Sequence, residues 1–152
     1  MLDRLLPRRL DGGYRDHRLA LWILGLLAVM KLAMGANSIF NGRSVASSAD
    51  GIPLETFPPE AAQAVLALFA GWGFGQVLLG LLAVVVLVRD RALVPLVFAL
   101  LLVENVGRKA IFYFLPYASA PTTANVVVNG LFIALMCVGL VLSLGSRSAA
   151  AA

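Results

Sequence analysis

Few residues in this 152-residue chain have the chemistry to do more than pack. Glu104, Asn105, Arg108 and Lys109 sit inside an otherwise apolar run from Ala92 to Pro116, A-L-V-P-L-V-F-A-L-L-L-V-E-N-V-G-R-K-A-I-F-Y-F-L-P, and Lys31 and Asn129 interrupt two other apolar runs. Glu104 and Arg108 are four apart, so on a helix they share a face and can pair. Asn105 and Lys109 repeat that spacing one residue round. A carboxylate among cations in apolar surroundings supports three chemistries. It can be a satisfied polar pin that fixes helix register, a ligand site, or a proton or ion path. Charges inside a membrane span are functional candidates by default, so Lys31, Glu104, Asn105, Arg108 and Asn129 are the candidate ligand-binding residues. A single carboxylate with no second acid or histidine beside it is a poor relay. The surplus of positive charge (Lys31, Arg108 and Lys109 facing Glu104) suits a lipid phosphate, a polarised quinone carbonyl or a small anion.

Other classes of chemistry are excluded by what is missing. Cys137 is the only cysteine, so the chain has no intrachain disulfide and no Cys pair for thiol redox work. His17 is the only histidine, which rules out a bis-histidine haem or a His-based metal cluster within one chain. No Ser-His-acid set or paired carboxylate supports a membrane enzyme, and no catalytic, cofactor-binding or metal-binding residue is assigned. A quinone is the one cofactor the polar set could hold. The crowded Gly71-Trp72-Gly73-Phe74-Gly75 is not a dinucleotide fingerprint, because no strand precedes it.

The elements that must position these residues follow from composition. The chain is 61% hydrophobic and 13% charged with mean hydropathy +0.91, against about 25% charged in a globular domain. An integral membrane protein is expected: all-α, a four-helix transmembrane bundle. A crossing needs about 20 mostly apolar residues, and four runs supply them, at about 19–40, 60–88, 92–115 and 122–144. Residues 1–18 form a basic cytoplasmic or interfacial arm, 19–144 the membrane domain with an outer loop at 41–59, and 145–152 a tail. The 41–59 connection exceeds the usual loop length of about 12–15 residues, so it should hold a short helix or lie over the helix ends. Pro58-Pro59-Glu60 is a good helix start. Ala67, Gly71 and Gly75, at four-residue steps, form a small-residue strip suited to close helix packing.

The third run is marginal on its own. Each ionised side chain near mid-bilayer costs about 2.5–3.5 kcal/mol, while a Leu, Ile, Phe or Val returns about 0.3–0.6. The two sides nearly cancel, so this helix needs polar partners on its neighbours.

Basic residues set the orientation. Arg4, Arg8, Arg9, Arg15 and Arg18 precede the first span, Arg89 and Arg91 lie in the second turn, and Arg147 is in the tail. The positive-inside rule therefore puts both termini in the cytoplasm of an inner (plasma) membrane. The first and third spans then run the same way. Lys31 lies twelve residues after Leu19 and Glu104 twelve after Ala92, each about 18 Å from the cytoplasmic end at 1.5 Å per residue. Opposite charges at one depth predict an interhelical ion pair. Asn129 should lie near the same level, and Gly35 and Ser38 keep that face of the first helix slim.

The plan is a span ending near a lysine, an outer loop with Gly51-Ile52-Pro53, a glycine-rich second span, the basic turn Arg89 to Arg91, and two further spans. It resembles the DoxX-like family of small four-helix bacterial membrane proteins. The resemblance implies the four-span architecture and a quinone-linked or redox role. That family has an acid near the start of the glycine-rich helix, where this chain has Trp72-Gly73-Phe74-Gly75-Gln76, and no functional residue is carried over. From the residues themselves, the expected function is a non-enzymatic accessory or interaction subunit that binds lipid. The alternative is a quinone- or small-anion-binding or transport protein using the same centre. Expected partners are membrane lipids and either a partner membrane protein or a second copy, with no nucleic acid.

Overall fold

A computed structural model describes residues 18–116 and 119–145. The predicted basic arm, up to residue 17, and the tail beyond residue 145 lie outside the described residues. Four long helices, α1 (Arg18–Phe40), α2 (Pro59–Arg89), α3 (Val94–Phe114) and α4 (Thr123–Gly145), carry the chain. Their bounds fall within two residues of the expected spans, and the described residues contain no strand. The outer loop does hold short helical turns, at Gly42–Ser44, Val45–Ala49 and Leu54–Thr56.

Each helix starts and packs for local reasons. Pro59 opens α2, with Glu60 in its first turn and Arg89 in its last, matching the ends of the helix dipole. Pro95 lies in the first turn of α3, where a missing N–H leaves no bond unmade. The buried positions of α1 (Ala20, Ile23, Leu24, Leu27, Ala28, Lys31, Gly35, Ser38) recur at three- and four-residue steps. They form one stripe of a helix.

α1 and α2 run antiparallel with backbones almost touching. A Cβ placed on Gly35 would meet the Gly73 carbonyl oxygen at 2.6 Å, and one on Gly73 would meet the Gly35 oxygen at 2.7 Å. The expected strip at Ala67, Gly71 and Gly75 is not this seam, for a Cβ on Gly71 or Gly75 meets nothing within 4 Å. The seam lies on the face that also carries Gln76 and Gly80, which the polar centre described below requires to point inward.

The main core lies between the helices, toward the end where α1 begins and α2 finishes. It includes Leu24, Leu27, Val97, Phe98, Leu101 and Met136. Phe98 sits against Gly139, where a Cβ would lie 2.2 Å from the ring. At the opposite end Ala46, Ile52 and Leu54 of the loop pack with Phe57, Val65, Leu66 and Phe69. That second cluster accounts for the length of α2. Its 31 residues span about 46 Å, more than a hydrocarbon core of about 30 Å.

The exterior is apolar. Trp22, Leu68, Val88 and Val141 are each more than two-thirds exposed, a surface that water does not tolerate over such an area. α1, α2 and α4 are long and apolar enough to cross a membrane. The chain is a membrane protein.

Candidate functional site

Three helices converge on one polar unit. Lys31 of α1, 2% exposed, places its ammonium 2.6 Å from Glu104 Oε2 of α3 and donates a second hydrogen bond to Gln76 Oε1 of α2. The Gln76 amide nitrogen donates back to Glu104 Oε1 at 2.8 Å. The result is a closed triangle in which cation, carboxylate and amide satisfy one another. Charge is balanced inside it, which is what a buried ion pair needs to be tolerated. The predicted pair between the first and third helices is therefore present, with Gln76 as an added member.

Arg108 stands at the edge of this triangle. Its Nε lies 3.4 Å from Glu104 Oε1, the expected pairing at four-residue spacing. The nitrogen is buried, though, and makes no hydrogen bond, so the contact is an ion pair without directional bonding. The guanidinium carbon lies 4.8 Å from the centre of the Trp72 ring, within cation–π range. Trp72 is itself held edge-on by Phe69, and its indole nitrogen is buried without a hydrogen-bond partner.

Toward the loop end lies a second polar layer. Asn129 donates to the backbone and side-chain oxygens of Asn125, at 2.8 and 2.7 Å. Asn125 donates in turn to Asp50 Oδ1 at 2.7 Å and to the Ala49 carbonyl at 3.0 Å. Thr122 caps α4 by accepting the Asn125 backbone N–H. Two more backbone bonds, Ala120 to Gly51 and Thr122 to Ala49, strap the loop onto the start of α4. Gly51 has φ +65°, and a Cβ there would lie 2.1 Å from the Ala120 oxygen. Both conformation and space require glycine.

Between the two layers are adjoining cavities of about 400 and 140 Å³, both lined by Asp50, Arg108, Asn125 and Asn129. The larger continues past Lys109, Phe112 and Tyr113, and the smaller reaches Asn37, Ser38 and Trp72. Burial pushes the Asp50 carboxyl above the ordinary aspartate range. The Asn125 hydrogen bond and the charges of Arg108 and Lys109 act against that rise.

The five predicted site residues therefore divide. Lys31 and Glu104 belong to the closed triangle, while Arg108 and Asn129 line the cavities. Asn105 is buried, with its carbonyl oxygen unbonded. Asn129 bonds within the loop-end layer and does not join the triangle. Gln76, Trp72 and Asp50 were not among the predicted site residues. Gln76 had a readable signal, since it lies thirteen residues before Arg89, about 20 Å from the same end as Lys31 and Glu104. Asp50 had none, because a loop-to-helix contact has no period. Among the described residues no group of three His, Cys, Asp or Glu could hold a metal. No protein-family model, curated protein or solved structure matches this chain.

Proposed function

We propose that this is a four-span membrane-embedded binding protein with both termini cytoplasmic. In this reading the Lys31–Gln76–Glu104 triangle is a structural pin, and the Arg108 cavity holds a ligand through an acceptor oxygen. The carrying observation is the state of Arg108. Its charge is stacked on Trp72 and only loosely paired with Glu104, and its side chain lines both cavities. A guanidinium held this way offers several N–H donors to a carboxylate, a phosphate or a polarised carbonyl.

The fourth crossing rests on α3, which has 21 residues and the length to span. Its Glu104 is neutralised from α1 and hydrogen-bonded from α2, so the helix need not insert with a bare charge. The distribution of arginines supports cytoplasmic termini in a bacterial inner membrane, and the DoxX-like resemblance supports the same plan. The accessory-subunit reading is favoured by one fact: every member of the triangle is satisfied, as a register-fixing pin should be.

Native mass spectrometry of the full-length purified protein tests the binding reading. A bound molecule should be retained by the wild type and lost in Arg108→Gln. Retention by both forms, or by neither, overturns it.

A further inference from the structure

The cavity next to the triangle carries a charge imbalance that the triangle does not relieve. Lys31 and Glu104 neutralise each other, which leaves Arg108 and Lys109 across the larger cavity from Asp50. Arg108 does not discharge into Glu104 by hydrogen bonding. One cation is therefore in surplus in a recess partly shut off from water, and such a charge favours a counter-charge. A guanidinium prefers carboxylate or phosphate, which it can hold through two parallel bonds.

Beside these charges and the amides of Asn125 and Asn129, the recess carries an apolar side. Phe112 stands one turn beyond Arg108 on α3, Tyr113 one turn beyond Lys109, and Val126 beside Asn125 on α4. Phe112 is 43% exposed, Val126 58% and Tyr113 81%. The recess thus has a polar floor and an apolar rim that opens between α3 and α4. Arg108 lies six residues before the end of α3 at Phe114, about 9 Å. That is close to where hydrocarbon gives way to headgroups.

We infer that the recess takes the anionic head of an amphiphile: one carboxylate or phosphate, seated on Arg108, whose apolar chain leaves between α3 and α4 past Phe112 and Val126. The inference rests on the Arg108 binding reading above and narrows it. A neutral quinone leaves the surplus cation uncompensated, and a soluble anion leaves the apolar rim unused.

Trp72, stacked on Arg108, is a built-in reporter. With Trp22→Phe as background it is the only tryptophan. The full chain in phosphatidylcholine vesicles is titrated with dibromostearate, with its methyl ester, and with inorganic phosphate, at alkaline pH where the acid is ionised. The dibromostearate is brominated on the two carbons next to its carboxylate, where Trp72 stacks on Arg108. Bromine on the chain quenches indole emission on contact. The expected result is a saturable quenching phase for the acid and none for the ester. That phase should weaken about tenfold or more in Arg108→Gln, the loss of a charge-assisted contact, and severalfold in Lys109→Gln. Should Arg108→Gln fail to insert, the exposed Lys109 carries the test.

Equal quenching by acid and ester, or saturation unchanged in the variants, overturns the inference. An Arg108-dependent response to phosphate without one to dibromostearate also overturns it, and leaves the Arg108 binding reading standing. Silence toward every probe, with nothing retained by the purified protein, removes both.

Discussion

Lys31 and Glu104, 73 residues apart in the chain, meet at 2.6 Å with Gln76 closing the triangle. Three helices are thereby tied at one depth. Neither charge can rotate toward lipid without leaving the other unpaired, so the contact fixes both the rotation and the register of α1 and α3. Gln76 adds α2 to the same constraint. The apolar core has no comparable directionality, since Leu and Val side chains pack almost equally well over a range of rotations.

Removing one partner should therefore hurt more than removing both. Glu104→Met alone leaves the Lys31 ammonium without a counter-charge, and Lys31→Met leaves Glu104 only its looser contact with Arg108 as counter-charge. Each should destabilise the protein, the former by about 3 kcal/mol. The double variant should lose clearly less than the sum of the two single losses. Unfolding in graded sodium dodecyl sulfate measures all three, and strictly additive losses would mean that the pair is not coupled.

The two glycine faces of α2 should behave in opposite ways. Gly73→Ala drives a Cβ against the Gly35 oxygen, and this overpacking should cost about 1–3 kcal/mol or open the α1–α2 seam. Gly71→Ala and Gly75→Ala meet open space and should be neutral, or stabilising by about 0.5–1 kcal/mol through helix propensity. Thermal denaturation in detergent distinguishes them. Similar losses at positions 71 and 73 would show that the seam has been misplaced.

How far the chain could be read depended on whether a feature was periodic. Helix rise and a consistent orientation were enough to bring Lys31 level with Glu104, because depth along a helix is a simple count. Rotation was harder. α2 has small residues nearly all round, at Ala67, Gly71, Gly73, Gly75 and Gly80, so spacing alone did not choose its buried face. Gln76 decides it, since an amide in an apolar span must turn toward its partners. At the loop end, the length of the 41–59 connection indicated a short helix or a loop over the helix ends, but not which residues would meet. Asp50 reaches Asn125 because Gly51 lets the chain turn tightly against Ala120, and nothing in the hydropathy pattern encodes a loop lying on a helix start.

Topology has its own test. With Cys137→Ser as background, a cysteine at the exposed Ser48 should react with a membrane-impermeant maleimide added to intact cells. One at the exposed Arg89 should react only after the membrane is opened. Labelling of both positions from the same side would leave α2 short of a crossing and would reverse the four-span plan.

Acid should strengthen the strap between the loop and α4. Burial raises the Asp50 carboxyl above its ordinary value, although the Asn125 hydrogen bond opposes the rise. A carboxyl raised in the fold binds its proton more tightly folded than unfolded. Its stabilising contribution is complete below the ordinary aspartate range and is lost as pH rises through the raised value. Asp50→Asn keeps an oxygen to accept from Asn125 and removes the titration, so other groups cancel when the two proteins are compared. The melting temperature of the wild type minus that of Asp50→Asn should therefore climb as pH falls from about 7 to about 4. A flat difference would mean that Arg108 and Lys109 already compensate the ionised form, and a falling one would mean that those cations hold Asp50 as a paired carboxylate.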